Sequence, residues 1–285
     1  MRTNFALLIF GENMDVHTQA CFALLSTMAR TDSDCNWVVV TDAPDFYRWF
    51  GDSIRIIHCS EEQLAEWRGK HDFFWRVKIQ AIRTVAEKME GHIVYMDADI
   101  VCREDLSKLI DSLNAGHFYM HKHEYLLRTT RSNTGHRMWR VGKGQTYAGY
   151  VMDGNSSMWN AGIIGIPFDE RAKLDDVLVL CDAMSETTMP SKLLEQYSFS
   201  RVLEDTGRLM MADHWFAHYW GNKEGWLVEI NRVLVKILLM NIPLQEALEI
   251  VRQHHIDLPV YVREPWAERT WKKIKRHVIS PKKAK

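Results

Sequence analysis

Short apolar runs alternate in the first half of the chain with stretches whose apolar residues recur at helical spacing. Residues 16–28 and 74–89 carry apolar side chains every three or four positions, which predicts amphipathic helices. Four runs rich in β-branched and aromatic residues predict strands. They are Phe5 to Phe10, Trp37 to Val40, Ile54 to His58, and Ile93 to Met96. This alternation predicts an α/β fold with a mainly parallel sheet flanked by helices.

The second half of the chain continues less regularly. Residues 158–166 predict another strand, and residues 174–184 and 193–203 predict helices. Between them and the first half, residues 126–157 form a polar, glycine-rich stretch with five cations and one acid, which we interpret as a long functional loop. Helical periodicity returns from Trp226 to about His254, and a basic tail follows it.

Composition narrows the class of protein. The chain has 285 residues, a formal net charge of -1 and 46% hydrophobic residues, which describes an ordinary globular protein and argues against a nucleic-acid binder. Its 5 cysteines are scattered without metal-site spacing, which favours a reducing, cytoplasmic compartment. The most apolar late stretch, Trp226 to Leu244, is interrupted by charged residues, so we expect no transmembrane segment.

Two carboxylates follow the fourth predicted strand directly. The strand runs into Asp97, Ala98 and Asp99. In parallel α/β sheets ligands bind beyond the carboxyl ends of the strands, where this turn must lie. Carboxylates there can hold Mn²⁺ or Mg²⁺, which also accept substrate phosphates as ligands. An aspartate that caps the helix beginning near Leu106, or that closes a turn, is the ordinary alternative.

Three further motifs follow in order. They are Asn160-Ala161-Gly162 within a predicted strand, Glu195-Gln196 heading a helix, and a late element with His218, Gly221 and Lys223. With the two aspartates, they make the chain from Phe5 to about Trp226 resemble the GT-A nucleotide-sugar transferases, especially the retaining family 8 glycosyltransferases. Family 8 usually has Asp-Gln in place of Glu195-Gln196, and its lysine usually comes one residue later than Lys223, before Pro-Trp.

The resemblance implies a GT-A-type, Rossmann-like catalytic domain over residues 1–225, containing the long basic loop 126–157. A helical extension with a basic tail over residues 226–285 would follow it. By the same resemblance, Asp97, Asp99 and His218 would bind Mn²⁺ or Mg²⁺, although most of the 13 histidines must be unrelated to metal.

The resemblance also implies a reaction centre and a donor site. Asn160 and Gln196 would orient sugar hydroxyls near the anomeric carbon, and Glu195 would serve a retaining or an inverting scheme. Lys78 and Lys223 would neutralise the diphosphate. The alternatives are a snorkelling lysine with a buried stem for Lys78 and a solvated surface lysine for Lys223. The residues expected to contact the nucleotide-sugar are Phe10, Gly11, Lys78, Asp97, Ala98, Gly162, Gly221 and Lys223.

These observations predict a metal-dependent transferase that moves a hexose from a nucleotide-sugar, with UDP favoured by the resemblance, to a glycan or lipid-linked acceptor with retention. A sugar-phosphate nucleotidyltransferase is less favoured, because residues 11–15 have one glycine and two acids where that class carries a glycine-rich, basic phosphate loop. A non-catalytic nucleotide-sugar or carbohydrate-binding protein, and a structural protein with chance motifs, remain alternatives.

Two basic segments suggest further partners. The five cations between Arg128 and Lys143 would close over the donor diphosphate or receive an anionic acceptor. The tail from Arg263 to Lys285 has nine basic and two acidic residues, a local charge of +7, interleaved with Trp266 and Trp271. Such a tail can lie on an anionic membrane surface, and a solvated tail is the alternative.

Overall fold

A seven-stranded mixed sheet forms the centre of the computed structural model, which describes residues 1–31 and 34–263. Its strands are β1 (Thr3–Ile9), β2 (Cys35–Thr41), β3 (Arg55–His58), β4 (His92–Met96), β6 (Phe118–Leu126), β9 (Ser157–Ile166) and β10 (Leu209–Met211). Two short antiparallel pairs add β5 (Ile100–Cys102) with β11 (Phe216–His218), and β7 (Thr146–Tyr147) with β8 (Tyr150–Val151).

Helices cover the sheet. They are α1 (Met14–Met28), α2 (Glu61–Trp67), α3 (Arg76–Lys88), α4 (Ser107–Asn114), α5 (Asn133–Gly142), α6 (Lys173–Ser185), α7 (Leu194–Glu204), α8 (Lys223–Leu239) and α9 (Leu244–Gln253). The strand order is β10-β6-β9-β4-β1-β2-β3, and all neighbouring strands are parallel except where β9 pairs antiparallel with β4 and β6. The predicted α/β class with a mainly parallel sheet is therefore confirmed.

Alternation along the strands explains why both faces of the sheet need helices. In β4, Val94 and Met96 are buried in the core formed with α1, α4, α8 and α9. Ile93 and Tyr95 are buried in the second core, formed with α2, α3, α6 and α7. A strand that is covered on both faces is apolar at every position, which is why β4 forms a continuous apolar run in the sequence.

The segment 126–157 differs from the long loop expected. It contains a short 3-10 helix at Leu127–Thr129, then α5 and the β7–β8 hairpin. The Ser132 side chain caps α5 by accepting from the Gly135 backbone N–H, and Met138 is fully buried beneath the helix. Tertiary packing of one methionine therefore stabilises a helix that its glycines disfavour.

The late helical periodicity corresponds to two helices. α8 ends at Leu239, and Pro243, which cannot continue the hydrogen-bond ladder, immediately precedes α9. Within the described ranges, no helix combines the length and apolar character needed to cross a membrane. The predicted basic tail lies outside the described residues after Arg263.

Candidate functional site

A cavity of about 620 Å³ opens at the carboxyl ends of β1 and β4, where the two aspartates were expected. Eleven of the predicted site residues line this cavity: Phe10, Lys78, Asp97, Ala98, Asp99, Asn160, Gly162, Glu195, Gln196, His218 and Lys223. Its volume is in the usual range for a small-molecule site. These predicted site residues, which are spread over more than 200 positions of the sequence, therefore meet at one place.

Backbone pairing brings the two carboxylates and the late histidine together. β5 begins at Ile100, directly after Asp99, and Ile100 pairs with His218 on β11. The backbone N–H of Tyr219 also donates to the Asp99 carbonyl oxygen at 3.1 Å. Asp97 is fixed in turn by its backbone N–H, which donates to the Gly162 carbonyl oxygen at 2.9 Å. Neither aspartate caps α4, whose N-cap residue is Leu106.

Each aspartate is held by a lysine through one oxygen. Lys78 Nζ is 3.0 Å from Asp97 Oδ1, which also accepts from the Tyr95 hydroxyl at 3.0 Å. Lys223 Nζ is 2.8 Å from Asp99 Oδ2. The other two oxygens face His218: its Nε2 is 3.2 Å from Asp99 Oδ1 and 4.0 Å from Asp97 Oδ2. Three potential ligand atoms therefore converge on one point.

These three atoms fit a divalent cation. Two ligands of a six-coordinate ion at about 2.1 Å lie about 3.0 Å apart when adjacent and about 4.2 Å apart when opposite, a range that contains both measured separations. Asp97, Asp99 and His218 are also a group of potential ligands within 4.8 Å of one another. Burial raises the pKa of the Asp99 carboxyl, but His218 and Lys223 outweigh it and hold that pKa below its usual value.

The His218 ring is oriented by its neighbours. Its Nδ1 is 2.8 Å from Asn160 Oδ1, which also accepts from the Gly162 backbone N–H at 3.0 Å. Because that oxygen is an acceptor, Nδ1 must carry the proton, and Nε2 is turned toward the aspartates. A Cβ on Gly162 would lie only 2.3 Å from His218 Nδ1, so the ring position requires glycine there.

Glu124 is a site residue that the sequence analysis missed. Its Oε1 accepts from Asn160 Nδ2 at 3.0 Å, and its Oε2 accepts from Gln196 Nε2 at 3.1 Å. The pairing of β6 with β9 shifts between His123 and Tyr125, so Glu124 is the extra residue of a β-bulge. Such bulges turn a side chain away from the regular alternation, here toward the cavity that Glu124 lines.

A buried ion pair lies on the other side of the cavity. Lys78 Nζ is 3.3 Å from Glu195 Oε1, and both side chains are almost fully buried. Burial raises the pKa of Glu195 despite the nearby ammonium. Burial by itself would lower the pKa of Lys78, but Asp97 and Glu195 outweigh it and raise that pKa. Lys78 is therefore a buried, ion-paired cation in the cavity wall.

Two predicted contacts lie outside the cavity. The backbone N–H of Gly11 donates to both Asp42 carboxylate oxygens, at 3.0 and 3.1 Å, and its φ of 78° suits glycine. Gly221 packs against the ring of Tyr261, where an added Cβ would approach within 2.2 Å. Both glycines therefore have a structural reason for their identity.

Three more lining residues were not singled out from the sequence. Phe74 and Trp75 are 44% and 42% exposed at the start of α3, and Phe74 lies 5.5 Å from the Phe10 ring. Exposed aromatic side chains side by side before a helix were the available signal for these two. Lys192 also lines the cavity, from the 3-10 helix Ser191–Leu193.

A comparison with known protein families matches the part of the chain that carries most of the cavity residues. The glycosyl transferase family 8 model matches residues 69–228, more than half of the chain. The chain therefore belongs to glycosyl transferase family 8 and is a glycosyltransferase. Its parallel sheet with the antiparallel β9 is the GT-A arrangement that the resemblance implied.

Solved structures of glycosyltransferases also match this chain at low sequence identity. Apo mouse xyloside xylosyltransferase 1 matches with 11% identity and a TM-score of 0.48, over 74% of this chain and 85% of that chain. An active-site mutant of LgtC matches with 16% identity and a TM-score of 0.47, over 73% of this chain and 72% of that chain. The galactosyltransferase LgtC in complex with donor and acceptor sugar analogs matches with 13% identity and a TM-score of 0.47, over 73% of this chain and 73% of that chain. A search of curated protein sequences finds no match.

Proposed function

We propose that this glycosyltransferase transfers a hexose from a UDP-sugar, with Mn²⁺ or Mg²⁺, to a glycan or lipid-linked acceptor. The observation that carries the proposal is the convergence of Asp97 Oδ2, Asp99 Oδ1 and His218 Nε2 beside a cavity of sugar-nucleotide size. Asn160 supports it by presenting its oxygen to the protonated nitrogen of His218, which leaves Nε2 free to bind a metal.

The charges of the cavity support a role for a metal. Its lining carries no excess of positive charge, because three lysines face four carboxyl groups there: Lys78, Lys192, Lys223, Asp97, Asp99, Glu124 and Glu195. The lysines alone would therefore leave a diphosphate without full neutralisation. A bound divalent ion supplies Lewis-acid stabilisation of the departing diphosphate, and the two aspartates and His218 would hold it.

The chain's own residues would position the donor around that ion. Lys223 is 53% exposed on its side chain, so the ammonium can move from Asp99 to a phosphate oxygen. Phe10, Phe74 and Trp75 offer aromatic faces at the cavity wall for the nucleobase. Each of these contacts favours a nucleotide-sugar over a free sugar.

The reaction centre is proposed at Asn160, Glu195 and Gln196, with retention of configuration. Glu124 fixes the amide nitrogens of Asn160 and Gln196, so the Gln196 carbonyl oxygen is directed away from Glu124. Glu195, with its raised pKa beside Lys78, is suited to hold a proton during the transfer. The anomeric configuration of the product, read by NMR, distinguishes retention from inversion.

Release of nucleoside diphosphate from a panel of nucleotide-sugars, with and without Mn²⁺, tests the proposal. Asp99→Asn removes a charged ligand atom, and we expect turnover to fall by more than the roughly 10–100-fold typical of lost outer-shell partners. Asp213→Asn, which changes an exposed aspartate outside the cavity, is the matched control. Full activity of Asp99→Asn would contradict the metal site, and nucleotide binding without turnover would indicate a binding protein.

The acceptor side is proposed to lie at an anionic membrane. α8 buries Trp226, Ile230 and Ile237, yet its opposite side also carries an apolar stripe, at 53%, 49% and 81% exposure, formed by Val228, Val235 and Leu239. A helix that is apolar on two faces lacks one partner. The basic tail is close in sequence, and basic residues near an anionic lipid surface each contribute about 1 kcal/mol.

Co-sedimentation with vesicles that contain anionic lipid tests the membrane proposal. We expect wild-type protein to pellet at low salt and to be released at high salt. Deletion after Val262, or Val235→Glu with Leu239→Glu, should reduce the pellet. Equal binding by both variants would contradict a membrane role for these surfaces.

A further inference from the structure

Five exposed cations lie within residues 128–143, and we name them the basic surface. Its members are Arg128, Arg131, Arg137, Arg140 and Lys143. All five are exposed, and none has an ion-pair partner among residues 1–31 and 34–263. Like charges gathered without counter-charges repel one another, so this surface is electrostatically complementary to an anion.

α5 gives the basic surface its direction. The helix buries Gly135, Met138 and Gly142 on one side. Arg137 and Arg140 are exposed on the opposite side. They share a face of the helix because residues three or four apart in a helix are neighbours. Their guanidinium groups can therefore contact one ligand together.

Both ends of α5 pack against segments that also contribute residues to the cavity. Near its start, a Cβ on Gly135 would lie 3.2 Å from the hydroxyl of Tyr125, the residue after Glu124. Near its end, a Cβ on Gly142 would lie 2.6 Å from Met189, three residues before Lys192. Glu124 and Lys192 line the cavity. The helix therefore packs against two of the segments that supply the cavity lining.

We propose that the basic surface binds a negatively charged group, a phosphate or a carboxylate, on the acceptor glycan. The inference rests on the proposed function and adds the chemical class of the acceptor. None of the five cations lines the cavity, where Lys78 and Lys223 already face the donor side, so closure over the donor diphosphate is disfavoured. The acceptor hydroxyl enters the cavity while its anionic group remains on the rim.

A membrane is the less suitable occupant of this surface. Helices that lie on membranes present large apolar side chains beside their cations. Within the described part of the chain, α5 exposes no large apolar residue, whereas α8 exposes four. The basic surface therefore has the chemistry for a solvated, charged glycan rather than for lipid.

Direct binding of fluorescent oligosaccharides to the full chain tests the proposal. The probes are maltotriose, maltotriose carrying one phosphate monoester, and a trisaccharide ending in glucuronic acid. We expect the anionic probes to bind at least about tenfold more tightly than maltotriose at 50 mM salt, with the difference shrinking at 500 mM as charges are screened. A greater gain for the phosphate than for the carboxylate probe identifies phosphate as the natural source.

Matched variants locate the binding. Arg137→Ala with Arg140→Ala should remove most of the preference for anionic probes. Lys88→Ala with Lys108→Ala removes two other exposed charges, outside α5 and the cavity, and should keep that preference. Equal binding of all three probes, or an equal loss in both double variants, would overturn the proposal.

Two further measurements separate it from neighbouring hypotheses. If Arg137→Ala with Arg140→Ala loses vesicle binding and leaves glycan binding intact, the surface belongs to the membrane and the proposal is wrong. Failure of the proposed function has its own signature, because wild-type protein would then release no nucleoside diphosphate from any nucleotide-sugar, whatever the glycan probes show.

Discussion

Glu124 determines which groups donate and which accept in the hydrogen-bond network that runs through Asn160 to His218. A carboxylate only accepts hydrogen bonds, so both amides that contact it must turn their nitrogens toward it. Asn160 then presents its oxygen to His218, which fixes the proton on Nδ1. Glu124 would act on the proposed metal site through Asn160, as a positioning residue.

Glu124→Gln tests that role. The new amide cannot accept from both neighbours, so one of them must flip, and we expect Mn²⁺ affinity to fall by roughly 10–100-fold, as for other outer-shell partners. Mn²⁺ titration followed by EPR measures the affinity without relying on turnover. The ¹⁵N chemical shifts of His218 report whether the proton leaves Nδ1.

Two variants control this experiment. Glu204→Gln changes a carboxylate that accepts from the Trp159 indole at 3.4 Å, one residue from Asn160, and should leave Mn²⁺ affinity unchanged. Glu124→Asp keeps an acceptor-only group and should retain more affinity than Glu124→Gln. Unchanged Mn²⁺ affinity with a raised KM for acceptor would assign Glu124 a direct contact with substrate instead.

At the scale of helices and strands, the sequence predicts the elements that a local pattern of apolar residues specifies. β4 and its two aspartates were predicted because a doubly covered strand is apolar throughout and its end is a ligand site. Glu124 was missed because the β6–β9 bulge depends on pairing between strands about 35 residues apart. α5 was missed for a similar reason, since its stability comes from packing under Met138 rather than from helix propensity.

α8 joins the predicted extension to the site. Trp226 is fully buried and stacks on Tyr219, with ring centroids 4.7 Å apart. Its indole N–H donates to the Pro259 carbonyl oxygen at 3.1 Å. Tyr219 directly follows His218, so the packing of α8 also supports a proposed metal ligand. We propose that residues 1–225 and the extension from 226 onward, although distinct in pattern, unfold together.

Trp226→Ala tests this connection. Loss of a fully buried indole should lower the free energy of unfolding by about 3–5 kcal/mol. Urea unfolding followed by circular dichroism should still show one transition, at lower urea. Val228→Ala, at a position on the same helix that is 53% exposed, should change stability by less than about 0.5 kcal/mol. Two separate transitions would contradict cooperative unfolding.

At the scale of the whole molecule, five cysteines that the site does not use lie in the two cores or pack against them. Burial raises the pKa of every cysteine thiol: to about 11 for Cys35 and Cys59, and to about 12 for Cys21, Cys102 and Cys181. All five thiols are free. The reactive form is the thiolate, so these raised pKa values lower the reactivity of each thiol in the folded protein.

Native protein should therefore resist alkylation by iodoacetamide at pH 8. A thiol with a pKa of 11 is only about 0.1% thiolate at that pH, against about a quarter for an ordinary cysteine. Intact mass spectrometry should show fewer than one added group per native chain and 5 after unfolding in urea, one for each cysteine in the sequence. Labelling of the native protein should rise as the pH approaches 11, because ionisation then supplies the thiolate.

Native labelling at pH 8 within tenfold of the unfolded rate would contradict this burial. Labelling of the three buried thiols, Cys59, Cys102 and Cys181, requires opening of the cores, so Trp226→Ala should accelerate it and Val228→Ala should not.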